Sequence, residues 1–250
     1  MNPFYAIIKT VPYIYFTNNY MVQKMKKIFL LLLCIFAYKV YSQPAIIINS
    51  KKAYHLSVDS NAQKTMINLQ QLIPSIVLDL RYNSSNNFTR KKLYKNASTT
   101  YMRKPTANTL LQIQTFLKQK GFGLKIFDAY RPYAATKLMW ELIKDERYVA
   151  NPKNGSNHNR GLAVDLTLIN LATKQEINMG TGFDNFTDTA HHSFTALPQA
   201  ILDNRNLLKT TMEQFGFKAF DTEWWHYSWA NNTDYEVLDI DFVIMKKIIK

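Results

Sequence analysis

The chain has 250 residues, 31 Lys and Arg against 18 Asp and Glu, 47% hydrophobic and 14% aromatic content, and a formal charge of +13. That apolar fraction supports a substantial core and excludes a disordered, collagen-like or low-complexity chain. The charge raises a polyanion partner as a question, whose answer depends on how much of the N-terminus is leader.

Lys24, Lys26 and Lys27 precede an unbroken apolar run, Ile28 to Tyr38, followed by Lys39 and Val40-Tyr41-Ser42. A basic n-region, an 11-residue apolar stretch and tolerated residues before a cut describe a secretory signal peptide cleaved near Ser42. The run is too short to span a bilayer, which needs about 20 apolar residues. Met25 reads as the natural start, with residues 1–24 dispensable, and Cys34 reads as a small hydrophobe within the run. Residues 1–42 are thus expected to be leader, and 43–250 one domain exported to the periplasm or medium without stable membrane insertion. Such a leader removes five lysines and no acid, so 26 basic residues face 18 acidic ones and the charge falls to +8. It also removes the lone cysteine, which leaves His and carboxylates as metal ligands. The basic residues are scattered rather than interleaved with aromatics, so no nucleic-acid partner is expected.

Along the domain, Ile76 to Tyr82 is β-branched and alternating, a predicted strand followed by a polar loop to Thr89. Thr106 or Asn108 is placed to cap a helix running to about Lys120, with Gly121 as its stop. Leu124 to Tyr130 reads as a strand, Ala134 to Lys144 as a helix and Gly161 to Ile169 as a strand. Residues 200–215 carry apolar residues at helical spacing ahead of Gly216, and Trp224 to Trp229 is a further strand. Elements mix without a βαβ rhythm, so the expected class is α+β: a small, mainly antiparallel central sheet flanked by helices.

The chemistry concentrates at His158, Asp165 and His226. Two imidazoles and a carboxylate are the ligand set of a catalytic Zn²⁺ that keeps its fourth position for water, and Glu223 stands where it could serve as base. Residues seven apart (His158, Asp165) or three apart (Glu223, His226) point to opposite faces of a regular strand. Convergence therefore requires a turn at Gly161 and irregular backbone at Glu223 to Trp225. Each residue alone is more often a hydrogen-bonded core group than a ligand.

The strings Ser156-x-His158-x-Arg160-Gly161-x-Ala163-x-Asp165-Leu166-Thr167 and Glu223-Trp224-Trp225-His226-Tyr227, with Asp128-Ala129-Tyr130-Arg131-Pro132 ahead of them, resemble the zinc D-alanyl-D-alanine dipeptidases of the VanX type. Arg81-Tyr82, Asn87-Phe88-Thr89, Gly182-Phe183-Asp184 and His191-His192 extend the likeness from about Leu78 to Tyr227. The resemblance implies one Zn²⁺ at the sheet edge, held by His158, Asp165 and His226, with Glu223 as catalytic base and Arg131 as the group polarising the scissile carbonyl. Asp128 is expected to buttress Arg131. A dipeptide such as D-Ala-D-Ala is the implied substrate, its ammonium anchored at Asp184 near Tyr82, with Ser156 a further contact. His191 and His192 are expected to hold the neighbouring loop, and one of Trp224 and Trp225 to wall the pocket while the other joins the core. A D,D- or L,D-carboxypeptidase trimming peptidoglycan stems shares the motif, and a non-catalytic wall-peptide binder is the alternative of another class.

Overall fold

In the computed structural model, which describes residues 21–27, 45–230 and 234–249, residues 21–27 are helical, and Pro44–Lys250 make up one compact unit. The expected apolar leader run and cleavage site lie outside the described residues. Among the described residues no helix is long and apolar enough to cross a membrane.

The elements, in chain order, are β1 (Ile47–Ile48), α1 (Lys51–Ser60), β2 (Met66–Asn68), α2 (Leu69–Leu72), β3 (Val77–Leu78), β4 (Tyr101–Arg103), α3 (Lys104–Gln119), β5 (Phe122–Asp128), α4 (Tyr133–Leu142), β6 (Ala163–Asn170), α5 (Gln199–Gln214), β7 (Phe217–Phe220), β8 (Glu223–Trp229), β9 (Val237–Leu238) and α6 (Phe242–Ile248). Five strands form the central sheet in the order β3-β5-β6-β8-β7. Here β3 runs parallel to β5, and the remaining pairs are antiparallel. The fold is α+β, as the mixed pattern of elements implied.

Parity along the strands divides the sheet. Leu124, Ile126, Val164, Leu166, Leu168 and Tyr227 alternate onto one face and join Leu110, Ile113 and Leu117 of α3 and Leu208 and Met212 of α5 in a single core cluster. Each such aliphatic side chain, taken fully out of water, stabilises the fold by about 1.5–3 kcal/mol. Asp165, one residue out of phase with Val164 and Leu166, points to the other face. A second apolar cluster, with Tyr54, Met66, Tyr101, Tyr130 and Phe242 among its members, backs the turn after β5. There the Tyr130 hydroxyl donates to the Ile240 carbonyl at 2.7 Å.

Several boundaries differ from expectation. The strand expected from Ile76 to Tyr82 is confined to Val77–Leu78, and Arg81–Asn83 form a 3₁₀ turn. That turn lets Tyr82 point inward, 2% exposed, while Arg81 covers the Phe127 ring. Helix α3 starts at Lys104, ahead of Thr106 and Asn108, because Pro105 carries a preset φ suited to a first turn. The Thr106 hydroxyl instead donates to the carbonyls of Arg103 and Gly161, at 2.8 and 3.2 Å. The third predicted strand begins at Ala163, because Gly161 adopts φ +71° and reverses the chain before it. Trp224 and Trp225 are both buried in the core, at 3% and 1% exposure, so neither forms an open wall. Pairing between β7 and β8 explains this: one step from Ala219 to Phe220 corresponds to four from Tyr227 to Glu223, so Trp224 to His226 bulge out of the ladder and the simple alternation fails.

Candidate metal centre

Register places the first components. Asp165 of β6 is directly opposite His226 of β8 on one side and Asp128 of β5 on the other, so three side chains form a row across the three middle strands. Directly opposed residues share a face. Asp128 reaches that row because of a bulge: β5 takes two steps from Ile126 to Asp128 while β6 takes one from Leu166 to Asp165. In a regular strand Asp128, two residues past Ile126, would share its helix-covered face; the bulge at Phe127 turns it to the side of Asp165. The row lies at the margin of the sheet, where β5 ends and the Tyr130-Arg131-Pro132 turn begins.

His158 arrives from the loop before β6. The Ser156 hydroxyl accepts from the His158 backbone amide at 3.1 Å, and the Asn159 carboxamide oxygen accepts from the Ser156 amide at 2.8 Å, which winds this loop tightly. Here Ser156 has a local holding role, in the loop where the sequence suggested a substrate contact. The Ala129 carbonyl lies 2.7 Å from His158 Nδ1. A carbonyl can only accept, so Nδ1 carries the proton and Nε2 presents its lone pair to the centre.

His158 Nε2, Asp165 Oδ1 and His226 Nδ1 form a triangle with edges of 2.9, 3.2 and 3.4 Å. A tetrahedral ion with ligands at about 2.0–2.1 Å spaces them about 3.3 Å apart, so the donor set fits one face of a zinc tetrahedron. Among the described residues this is the group whose donors converge as a candidate metal site. Burial holds the His226 pKa below its ordinary value and keeps the ring neutral, as a ligand must be. Burial opposes ionisation of Asp165, but His158 and His226 outweigh it and hold that carboxyl below its usual range.

Glu223 Oε2 lies 3.9 Å from His226 Nδ1. It is 6% exposed, and burial, followed by the like charges of Asp165 and Asp184, raises its pKa well above the ordinary value. Such a carboxyl is suited to gain and release a proton. Arg131 is fixed from several sides. Its Nε donates to Asp128 Oδ2 at 2.9 Å, its Nη2 lies 3.6 Å from Asp165 Oδ2, and its guanidinium covers the Tyr82 ring at 5.2 Å. Burial disfavours the charge, but Asp128, Tyr82, Tyr94 and Asp165 overcome it and leave the guanidinium firmly protonated. Asp128 therefore holds the Arg131 guanidinium in place.

Asp184 stands on the loop between β6 and α5, with φ +61°. Tyr82 donates to its Oδ1 at 2.8 Å and the Phe88 amide to its Oδ2 at 3.4 Å. Burial pushes its pKa up to about 7, and Tyr82, which bonds it, lies under the Arg131 guanidinium and so links it to the centre. Phe183 packs on Phe127, Tyr82 and Trp225, at 4.9 to 5.9 Å between ring centroids, joining this loop to the sheet. His191 and His192 stay outside the donor cluster. The His192 amide donates to the Asp221 carbonyl at 2.9 Å and the His191 carbonyl accepts from Arg205, so both serve the surrounding backbone.

Sequence reasoning passed over two groups. Tyr94 donates its hydroxyl to Asp128 Oδ1 at 2.8 Å, and Asn159 donates to the Arg131 carbonyl and to Thr136 Oγ1 at 2.8 and 2.9 Å. Tyr94 carries no motif signal. Asn159 sits inside the His158 string, and its place beside a candidate ligand is the signal for such a bond.

Several known proteins are similar to this chain. The D-alanyl-D-alanine dipeptidase of Escherichia coli (strain K12) is 32% identical over 177 residues, covering 71% of this chain and 91% of the relative. The D-alanyl-D-alanine dipeptidase of Enterococcus faecalis (strain ATCC 700802 / V583) is 30% identical over 179 residues, 64% of this chain and 88% of the relative. Among solved structures, the vancomycin resistance D,D-pentapeptidase VanY in complex with Zn(II) overlaps at 15% identity and a TM-score of 0.35, covering 55% of this chain and 77% of that one. The model of the M15 peptidases described as D-ala-D-ala dipeptidase matches residues 62–245, most of the chain. On that match and those identities, the chain belongs to the D-Ala-D-Ala dipeptidase family.

Proposed function

We propose that this protein is an exported zinc dipeptidase that hydrolyses D-Ala-D-Ala to free D-alanine, using one Zn²⁺ held by His158, Asp165 and His226. The observation that carries the reading is the 2.9–3.4 Å donor triangle with Glu223 beside it and Arg131 held on Asp128 and Asp165, within a chain of this family. When bound, zinc supplies a Lewis acid that lowers the pKa of a coordinated water toward ~7.

Glu223 takes the proton from the attacking water and delivers it to the leaving amine, the two roles its buried position favours. Arg131, with Nε on Asp128 and Nη2 3.6 Å from Asp165, is placed to stabilise the oxyanion that develops on the scissile carbonyl. It is already oriented and permanently charged, so little reorganisation is needed as charge appears. Asp184 receives the substrate ammonium, and Tyr82 and the Phe88 amide orient its two oxygens. Export is supported by the basic residues and apolar run before Ser42. An exported enzyme acts on dipeptide outside the inner membrane, which favours wall turnover or D-alanine scavenging over depletion of a cytoplasmic precursor.

The test assays purified, zinc-loaded protein against D-Ala-D-Ala, L-Ala-L-Ala and a stem pentapeptide. Cleavage of D-Ala-D-Ala alone is expected; preferential trimming of the pentapeptide shifts the assignment to a carboxypeptidase, and binding without turnover to a wall-peptide receptor. Glu223→Gln is expected to lower kcat by ~10²–10⁴ while retaining zinc. Wild-type turnover in that variant would remove Glu223 from the chemistry.

A further inference from the structure

Helix α5 buries a stripe of Arg205, Leu208 and Met212 at helical spacing, and Arg205 is the charged member, only 5% exposed. A charge in that position is costly unless its donors are satisfied. Three backbone carbonyls satisfy it. Nε donates to Met179 at 2.7 Å, Nη1 to His191 at 3.2 Å and Nη2 to Thr189 at 2.9 Å.

These carbonyls come from the two arms of one loop. Met179 lies on the entering arm, Thr189 and His191 lie on the leaving arm, and Asp184 stands between them. One planar guanidinium thus closes the base of the loop, a geometry that a lysine or a neutral side chain does not reproduce. From the same helix, Asn204 Nδ2 donates to the Asn178 carbonyl at 3.0 Å, a second tie on the entering arm. The loop needs such closure, because Asp184 holds φ +61°, a conformation that non-glycine residues adopt at a cost and keep only when their surroundings enforce it. Tyr82 and Phe88 hold the carboxylate at the tip, and Arg205 holds the backbone at the base.

We infer that Arg205 is a positioning residue for dipeptide recognition: by gathering both arms of the 179–191 loop it sets Asp184 where the substrate ammonium binds. The inference rests on the proposed role of Asp184 as amine anchor. It involves no contact between Arg205 and either substrate or metal, so its loss affects recognition of the free amino end and leaves the metal centre intact.

The experiment measures kcat, KM and zinc content for wild type, Arg205→Lys, Arg205→Gln and Asp184→Asn, with D-Ala-D-Ala and with N-acetyl-D-Ala-D-Ala. Arg205→Gln is expected to raise KM for the free dipeptide roughly tenfold, as a strained loop loses charged hydrogen bonds. Its zinc content and kcat should hold, and the preference for the free amine should shrink toward that of Asp184→Asn. Arg205→Lys, with charge but no fork, should fall between. If Asp184→Asn keeps the preference, the amine-anchor reading fails and this inference with it. If Asp184→Asn loses the preference and both Arg205 variants keep it, the positioning role alone is overturned. A parallel fall in zinc, kcat and melting temperature, or failure to fold, marks a general structural role and overturns it equally.

Discussion

The two halves of the proposed site are built differently. On the metal side, Asp165 and His226, with Asp128 behind them, stand on paired strands, and hydrogen-bond register alone sets their spacing. On the recognition side, Tyr82 belongs to a 3₁₀ turn, Phe88 and Asp184 to loops, and side-chain ties hold their geometry. A register is kept or lost as a whole, whereas a tethered loop can loosen by degrees. Lesions on the metal side should therefore be all-or-none, and those on the recognition side graded.

The largest effect should come from deleting Leu166. With Thr167 onward held in register, Asp165 takes the place of Leu166, opposite Ile126, and turns toward α3 and α5 and away from His226. Zinc binding and turnover should both be abolished, while the helices persist; metal analysis and circular dichroism check this. A deletion protein that still binds stoichiometric zinc would mean that the loops, not the register, define the centre. Asp184→Asn is the matching lesion on the other side. It removes a charge-assisted contact worth ~1.5–3 kcal/mol, so KM should rise ~10–100-fold while kcat and zinc are spared. A collapse of kcat in this variant would merge the two halves into one unit.

The same division explains what was legible in the sequence. Alternation in Leu124 to Phe127 and Val164 to Leu168 exposed the central strands, and the motif strings exposed His158, Asp165, His226, Glu223 and Arg131. Parity even required the irregular backbone at Glu223 to Trp225, which the Trp224 to His226 bulge supplies. The Phe127 bulge was not legible, because an extra residue in a strand leaves composition and local hydropathy unchanged and is defined only against its partner. Short elements were missed for a related reason: β7 has four residues, and β1, β2 and β9 two or three, so their pairing rests on distant partners. The strand expected through Tyr82 failed because tertiary demand, the reach of Tyr82 to Asp184, overrode β-propensity. Arg205 read as one polar residue on an amphipathic helix, since its partners are backbone carbonyls, which no pattern of side chains announces.

A smaller effect, in pH, separates the halves without altering the backbone. Burial raises the Asp184 pKa from 3.8 to about 7, whereas the zinc ligands are fixed in their deprotonated forms while metal is bound. Protonated Asp184 cannot pair with an ammonium. The wild-type to Asp184→Asn ratio of kcat/KM should therefore be greatest between about pH 7 and 8, falling below as Asp184 gains its proton and above as the substrate ammonium loses its own at about 7.7–8.0, because taking the ratio cancels every limb due to Glu223 or the metal. Stability should carry the opposite sign. A carboxyl whose folded pKa is raised binds its proton more tightly in the folded state, so its contribution is fully present below about pH 4 and lost as pH rises to about 7. Asp184→Asn, which cannot ionise, should accordingly melt higher relative to wild type at pH 8 than at pH 4. A stability difference independent of pH would show that Asp184 is not paying for its burial, and that the recognition loop is held as firmly as the strands.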